Sequence, residues 1–198
     1  MTRWSFILTY FLLNFIIAIE SYCPNDEDLQ NHRCTCSLTH GYIQCSSFPL
    51  TCRTCYRYKT MFFDENVRNL PIEAFRFYTF LSSNQSFTIQ FAQLNDFASN
   101  TFSKIQLAPE SSLSIKVGKY ISSRIPTRLF DDLSLQTKST FDFEIFQSTA
   151  DRLTFEQYSF DGIQHAFQSL FKFSILDSKD ILEFESNTGK TNQQTNQQ

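Results

Sequence analysis

The chain has 198 residues, a formal net charge of −3 at pH 7, and an unusual composition with 23 phenylalanines but only 4 glycines. Its basic residues are scattered, so it lacks the basic patch that attracts nucleic acids or anionic membranes. These features argue against binding to nucleic acid. The many phenylalanines predict an interior filled largely by aromatic rings.

The first element in chain order is an apolar N-terminal segment. Residues 1–21 carry one early cation at Arg3, continue as an apolar run, and contain small residues near Ala18 and Ser21. This order is typical of a secretory signal peptide, and an uncleaved membrane anchor is the alternative. We predict cleavage near Ser21, a secreted extracellular protein, and no membrane insertion after cleavage.

A cluster of cysteines follows directly. An even number of cysteines in an oxidising compartment predicts disulfides, and six cysteines allow fifteen pairings. A zinc site and a redox role for the CRTC stretch are alternatives, although C-x-C spacing suits zinc poorly and no helix is predicted beside CRTC. The sequence predicts a disulfide-stapled N-terminal cap over residues 22–56, which contains Cys23, Cys34, Cys36, Cys45, Cys52 and Cys55.

Residues 57–186 carry a repeating pattern. Apolar residues alternate at Leu113, Ile115 and Val117, as in a half-buried strand, and a return segment with Ile125-Pro126 follows. A fixed period of this size with one short strand per unit predicts a solenoid, here of about five degenerate repeats, whereas chance alternation is the alternative. The leading residues of the return segments recur 27, 28 and 30 positions apart, at Leu70, Phe97, Ile125 and Phe155.

The C-terminal segment, residues 187–198, is polar and of low complexity, which predicts a disordered tail. It provides no cover for the apolar edge of the last repeat. Either Leu182 and Phe184 fold over that edge, or the chain is one part of a larger assembly.

Two stretches resemble extracellular leucine-rich repeat proteins: LSIKVGKYISSRIPTRLFDDL resembles their repeat unit, and CPNDEDLQNHRCTCSLTHGYIQC resembles their cysteine-rich N-terminal cap. The opening is also similar to secreted arthropod repeat proteins of the luciferin-oxygenase non-catalytic-subunit type. The resemblance implies an α/β-type repeat solenoid with short parallel strands and few or no regular helices. It also implies the disulfides Cys23–Cys36 and Cys34–Cys45, which leaves Cys52 and Cys55 for each other or for a partner chain.

One feature of leucine-rich repeats is missing. In that family an asparagine three residues after the second strand position satisfies backbone groups along the turn. We therefore expect other groups to satisfy these backbone atoms, or the solenoid to be irregular. The corresponding residues here are Glu65, Ala92, Tyr120, Ser148 and Ser178.

The concave face of the predicted sheet is the candidate binding site. Large apolar groups flanked by charges of both signs are typical of protein-binding surfaces. If the register is one residue off, the phenylalanines belong to the core instead. The residues between and just after the buried strand positions face outward on the concave side, and those chosen as the candidate face are Phe63, Phe91, Lys116, Lys119, Glu144 and Phe146.

Motifs for catalysis are absent from the sequence. It contains no nucleophile elbow, no H-E-x-x-H helix and no phosphate-binding glycine loop, and its three histidines are far apart. We predict that the protein is not an enzyme and has no cofactor. Asn84-Gln85-Ser86 is the one N-glycosylation sequon.

The sequence therefore predicts a secreted, non-enzymatic scaffold that binds a receptor, a matrix protein or an enzyme chain through its sheet face. One alternative is a non-catalytic accessory subunit of a secreted enzyme. Another is a small disulfide-rich inhibitor or effector that acts through the cap, and this would require residues 22–56 to fold and act alone.

Overall fold

The computed structural model of the protein describes residues 23, 27–52, 55–76, 83–149, 152–177 and 181–184. The predicted signal peptide and polar tail lie outside the described residues. Within those ranges, no helix has the length and apolar character needed to cross a membrane.

Nearly all regular structure in the described residues is strand. The exceptions are the α-helix α1 (Glu27–Asn31) and one 3-10 turn (Cys55–Arg57). The strands are β1 (Thr35–Ser37), β2 (Tyr42–Cys45), β3 (Thr60–Phe63), β4 (Asn69–Leu70), β5 (Ser86–Leu94), β6 (Asp96–Phe97), β7 (Gln106–Leu107), β8 (Ser112–Tyr120), β9 (Arg124–Ile125), β10 (Ser134–Leu135), β11 (Thr140–Ser148), β12 (Arg152–Phe155), β13 (Gln164–His165), β14 (Leu170–Asp177) and β15 (Ile181–Phe184).

These strands form a three-sided parallel β-solenoid. The main sheet has seven strands in the order β1-β2-β3-β5-β8-β11-β14, and only the β1–β2 pair is antiparallel. The second side consists of the two-stranded sheet β4–β6 and the three-stranded sheet β9–β12–β15. The third side is the three-stranded sheet β7–β10–β13. From β3 to β14 the chain makes about four turns, and the three that begin at β5, β8 and β11 each have one long and two short strands.

The expected solenoid is therefore present, but the α/β class is not confirmed because the solenoid is mostly sheet. The return segments are short strands and tight turns, where an α/β repeat would place helices. The predicted repeat spacing is confirmed at two steps, because Leu70 pairs with Phe97 and Ile125 pairs with Phe155.

A column of stacked phenylalanines fills the interior. Neighbouring ring centroids are 5.5, 5.7 and 5.8 Å apart and the rings lie within 17° of parallel. Phenylalanines of the main strands meet this column edge-to-face, as Phe143 does with Phe130 at 5.6 Å. Such rings fill the core without burying polar atoms, which explains the composition. The column consists of Phe75, Phe102, Phe130 and Phe160.

The N-terminal cap is continuous with the solenoid. The structure contains the disulfides Cys23–Cys36, Cys34–Cys45 and Cys52–Cys55, so the two pairings implied by the resemblance are confirmed and the last two cysteines pair with each other. Leu29 of α1 is buried in the same core as the cysteines. Because β2 pairs with β3, the cap shares the main sheet with the repeats.

The corners of the solenoid use left-handed residues that stack in columns. One column consists of Asn84, Glu110, Lys138 and Gln168, each with φ between 56° and 62°. Backbone hydrogen bonds join successive corners, since Glu110 N–H donates to the carbonyl of Thr137 and Lys138 N–H donates to that of Phe167, both at 3.0 Å. The corners therefore satisfy one another along the solenoid axis.

Serine hydroxyls satisfy backbone oxygens at the corners that precede the long strands. Directly after the left-handed corner, Ser111, Ser139 and Ser169 donate to the carbonyl three residues earlier at 2.6, 2.8 and 2.9 Å. Tyr120, at one of the positions where asparagine is absent, is buried and donates to the carbonyl of Arg124 at 2.6 Å. Local side-chain bonds thus satisfy these backbone oxygens, and the three serines precede the long strands whereas the expected asparagine positions follow them.

The left-handed corners make a testable prediction about glycine. Left-handed backbone is costly for any residue with a Cβ atom and costs glycine almost nothing. Gln168→Gly is therefore expected to raise the free energy of unfolding by about 0.5–1 kcal/mol. Gln136→Gly, at an exposed position without left-handed backbone, is expected to lower it by about the same amount. Urea unfolding followed by far-UV circular dichroism measures both, and changes of equal sign would contradict the assignment.

Candidate protein-binding face of the main sheet

The outer face of the main sheet presents side chains in rows across the strands. The pairing register aligns Ser114 with Asp142 and Asp142 with Lys172, and it likewise aligns Lys116 with Glu144. These residues alternate with buried apolar ones along each strand, as the two-residue period requires. The rows are a rigid surface because every strand between β1 and β14 is paired on both sides.

Two predicted members of this face are not on it. Phe63 and Phe91 are each 2 % exposed and stack on one another inside the solenoid, with centroids 4.8 Å apart. They occupy the inward row that continues through Val117. Phe62, the residue before Phe63, is exposed instead, so the predicted register of the first repeat is one residue off.

The other four predicted members do reach the surface, and three of them lie together. Lys116 Nζ is 3.1 Å from Glu144 Oε2 and 5.6 Å from the centroid of the Phe146 ring. Phe146 is 40 % exposed. Lys119 is also exposed, at the point where the alternation of exposed and buried residues in β8 breaks, and is aligned with Gln147.

Chemical character changes across the face from the capped end to the other end. The central strands β5 and β8 present hydroxyl and amide groups such as Thr88, Gln90 and Ser114. Charged groups begin at Lys116 and continue onto β11 and β14. We call the set Lys116, Asp142, Glu144 and Lys172 the charged patch.

Apolar side chains flank the charged patch at the carboxyl ends of its strands. Phe146 on β11 and Leu176 on β14 hold equivalent positions, because Ile145 pairs with Ile175 and Gln147 pairs with Asp177. Both are exposed. An exposed apolar pair beside charges of both signs is a surface of the kind that binds proteins.

Asp142 is the most perturbed group in the charged patch. Partial burial raises its pKa, and the negative charge of Glu144 raises it further, while Lys172 and Lys116 oppose the shift. The carboxylate therefore carries an unfavourable charge in the folded protein at neutral pH. Asp142 lies on the outer face because it alternates with the buried Phe141 and Phe143, and nothing in its local sequence singles it out.

This shift predicts a pH-dependent effect of Asp142→Asn. A carboxyl group whose pKa is raised on folding binds its proton more tightly in the folded state, so stability falls as pH rises through the raised pKa. Asp142→Asn is expected to be more stable than wild type at pH 7 and equal to it below about pH 4, the ordinary range of an aspartate. Thermal unfolding measured across this range tests the expectation.

Glu73→Gln is the control with the opposite sign. A hydrogen bond from Lys104 lowers the pKa of Glu73, so its stabilising effect is present at neutral pH and lost as pH falls. Glu73→Gln is expected to be less stable than wild type at pH 7 and equal to it in acid. The same pH trend in both variants would contradict the assigned environments.

The remaining candidate groups are dispersed. Each histidine meets a serine hydroxyl at a separate place: His32 with Ser47, His40 with Ser37, and His165 with Ser169. Across the described ranges, no three His, Cys, Asp or Glu side chains come together as metal ligands. Asn84 is exposed on its corner just before β5.

The fold and the site together define a disulfide-capped parallel β-solenoid with a mixed apolar and charged sheet face. Comparisons with protein-family models, curated proteins and solved structures found no match for the chain. The resemblance to leucine-rich repeat proteins is therefore supported only at the coarser level of a repeat solenoid with N-terminal disulfides.

Proposed function

We propose that this protein is a secreted, non-enzymatic binding scaffold that recognises another protein through the outer face of its main sheet. The observation that carries the proposal is the exposed ring of Phe146 beside the Lys116–Glu144 ion pair on a rigid sheet. An aromatic ring in such a place supplies contact area at low entropic cost, and the adjacent charges select the partner.

Export from the cell is supported by the cysteines. All six form disulfides, which persist in oxidising compartments and are rare in the cytosol. The signal-peptide pattern of residues 1–21 points in the same direction.

A glycan on Asn84 would be compatible with this binding face. Asn84 precedes the start of β5, whereas Phe146 lies near the end of β11, and the main strands run parallel. Ser86, the first residue of β5, is level with Thr140, so about six residues of strand, or about 20 Å, separate the strand starts from Phe146. We propose that glycosylation covers the strand starts and leaves the charged patch and Phe146 accessible.

The two alternative functions differ in how well the fold supports them. A non-catalytic accessory subunit would use the same face, with an enzyme chain as the partner. An inhibitor that acts through the cap alone is less well supported, because the cap does not form a separate unit. Its strand β2 pairs with β3 of the first repeat, and its cysteines are buried in the same core as the repeats.

Differential capture tests the proposal. The full chain, secreted with an affinity tag, is incubated with extracellular fluid from its source and mildly crosslinked, and retained proteins are identified by mass spectrometry. Phe146→Ala is expected to reduce retention of a stoichiometric partner by about 30-fold, the effect of an interface hot spot. Lys119→Glu is expected to reduce it less, because a charge at the rim acts mainly on the association rate.

Tyr158→Ala is the matched control. Tyr158 is an aromatic residue of nearly the same exposure, 42 % against 40 % for Phe146, but it lies on a corner turn away from the main sheet. Retention equal to wild type is expected. Equal retention by Phe146→Ala and Tyr158→Ala would contradict the proposal, and an enzyme chain among the lost proteins would favour the accessory-subunit function.

A further inference from the structure

The end of the solenoid opposite the cap is open in the described residues. β14, β13 and β15 are the last strands of their sheets, and within the described ranges no strand pairs with their far edges. Phe171, Phe173 and Ile175 of β14 are only partly buried, whereas the residues paired with them on β11 are fully buried. The last layer of the core and the edge of the main sheet are therefore both available for contact.

The backbone at this edge has a defined pattern of free groups. Leu170 N–H donates to the carbonyl of Ser139 at 2.9 Å, so the backbone of Leu170 and of every second residue after it faces β11. The N–H and C=O groups of Phe171, Phe173 and Ile175 consequently point away from the sheet. These are the groups that a further strand would bond.

The side chains of β14 are arranged almost symmetrically on the two sides of Phe173 along the strand. Inward residues Phe171 and Ile175 lie two positions on either side of it, and outward residues Leu170 and Leu176 lie three positions on either side. Both leucines are exposed, at 45 % and 56 %.

The leucine at the start of β14 is particular to this strand. The residues aligned with Leu170 on the preceding long strands are hydroxyl side chains. Only the edge strand carries an apolar residue at this exposed position. The aligned hydroxyl residues are Ser86, Ser112 and Thr140.

Neither residues 185–198 nor the capped end of the solenoid offers an equivalent partner for this edge. Residues 185–198 contain no large apolar side chain that could cover the open core. The opposite end of the solenoid is closed by α1, the antiparallel strand β1 and the cap disulfides, so copies cannot stack head to tail. Because head-to-tail stacking is blocked, a closed symmetric assembly through this edge requires a two-fold contact between the same edge of two copies.

We propose that the protein forms a two-fold dimer in which β14 pairs antiparallel with β14 of a second copy, with the symmetry axis at Phe173. In this register, Phe173 exchanges two backbone hydrogen bonds with its own counterpart, and Phe171 does so with Ile175 of the second copy. Leu170 lies opposite the second copy's Leu176, and Lys172 lies opposite Ser174, so no like charges meet. The dimer joins two main sheets into one and covers both open cores.

A charge-swap experiment on exposed positions tests the register directly. The full chain is produced in a secretory host, and its mass in solution is measured by light scattering and analytical ultracentrifugation over a range of concentrations. The wild type is expected to have twice the monomer mass. Leu170→Lys/Leu176→Lys places lysines opposite one another twice by symmetry and is expected to weaken association by about tenfold or more.

Leu170→Lys/Leu176→Glu distinguishes loss of the contact from a general effect of polar substitution. This variant removes the same leucines but brings opposite charges together at both symmetric positions, so it is expected to associate more tightly than the double-lysine variant. A monomeric wild type would overturn the proposal. Deletion of residues 185–198 would not change that conclusion, even if the shortened chain formed a dimer. A wild-type dimer that both variants leave unchanged would place the interface elsewhere and would also overturn it.

Discussion

Phe130→Ala is expected to lower the free energy of unfolding by about 3–5 kcal/mol, a large part of what a domain of this size possesses. Phe130 is fully buried and stacks between Phe102 and Phe160 in the phenylalanine column. It also meets Phe143 edge-to-face. Its removal leaves a cavity that rigid strands on three sides cannot close, so the cost exceeds the transfer free energy of the ring alone.

Far-UV circular dichroism in urea measures this loss, because the only tryptophan, Trp4, lies in the predicted signal peptide and offers no fluorescence signal. Phe130→Leu keeps most of the volume and is expected to cost about 1.5 kcal/mol or less. Phe167→Ala, at a largely exposed corner position, is expected to stay within about 0.5 kcal/mol of wild type. If Phe130→Ala were as mild as Phe167→Ala, the stacked column would not be the stabilising core.

Removal of the Cys34–Cys45 disulfide is the second large effect. The double variant Cys34→Ala/Cys45→Ala frees a loop between residues separated by 11 positions in the sequence, and chain entropy alone predicts a loss of about 3 kcal/mol. The bond also holds β1 against β2, the strand that begins the parallel part of the main sheet. We expect a lower urea midpoint and earlier exchange of the β3 amides, because the cap covers that edge of the sheet.

Cys52→Ala/Cys55→Ala is the matched comparison, since these two cysteines are also fully buried but are separated by only 3 positions. The shorter loop predicts a loss of about 1.5 kcal/mol. Both variants are measured under the same non-reducing conditions. Equal losses would indicate that packing of the sulfurs, and not the length of the closed loop, determines the contribution of each bond.

Several parts of the fold could be predicted from the sequence because they depend on local periodicity. Alternation at Leu113, Ile115 and Val117 predicts the inward face of β8, and all three residues are buried. The spacing that aligns Leu70 with Phe97, and Ile125 with Phe155, appears as strand pairing. Each turn of the solenoid must bury the same face, so apolar residues recur in the sequence at a fixed spacing.

The binding face was predicted less well, because side-chain direction requires the register of each strand. For Phe63, only the pairing with neighbouring strands shows that the side chain points inward, whereas Phe91 is in phase with the buried residues Phe87 and Ile89 of its own strand. A shift of one residue reverses the face of a whole strand. Phe146 is outside because it continues the outward alternation of Asp142 and Glu144, and the alternation ends only at Gln147, which is also exposed.

The sequence by itself determined a repetitive, phenylalanine-filled chain with a cysteine-rich start, because composition and period are properties of the chain alone. Only the tertiary structure decided that the return segments are strands, that left-handed residues and serine hydroxyls form the corners, and that Asp142 shares a surface with Lys116 and Lys172. These features arise between turns of the solenoid, where residues about 28 positions apart become neighbours. Their interactions depend on register and distance across strands, which no local pattern specifies.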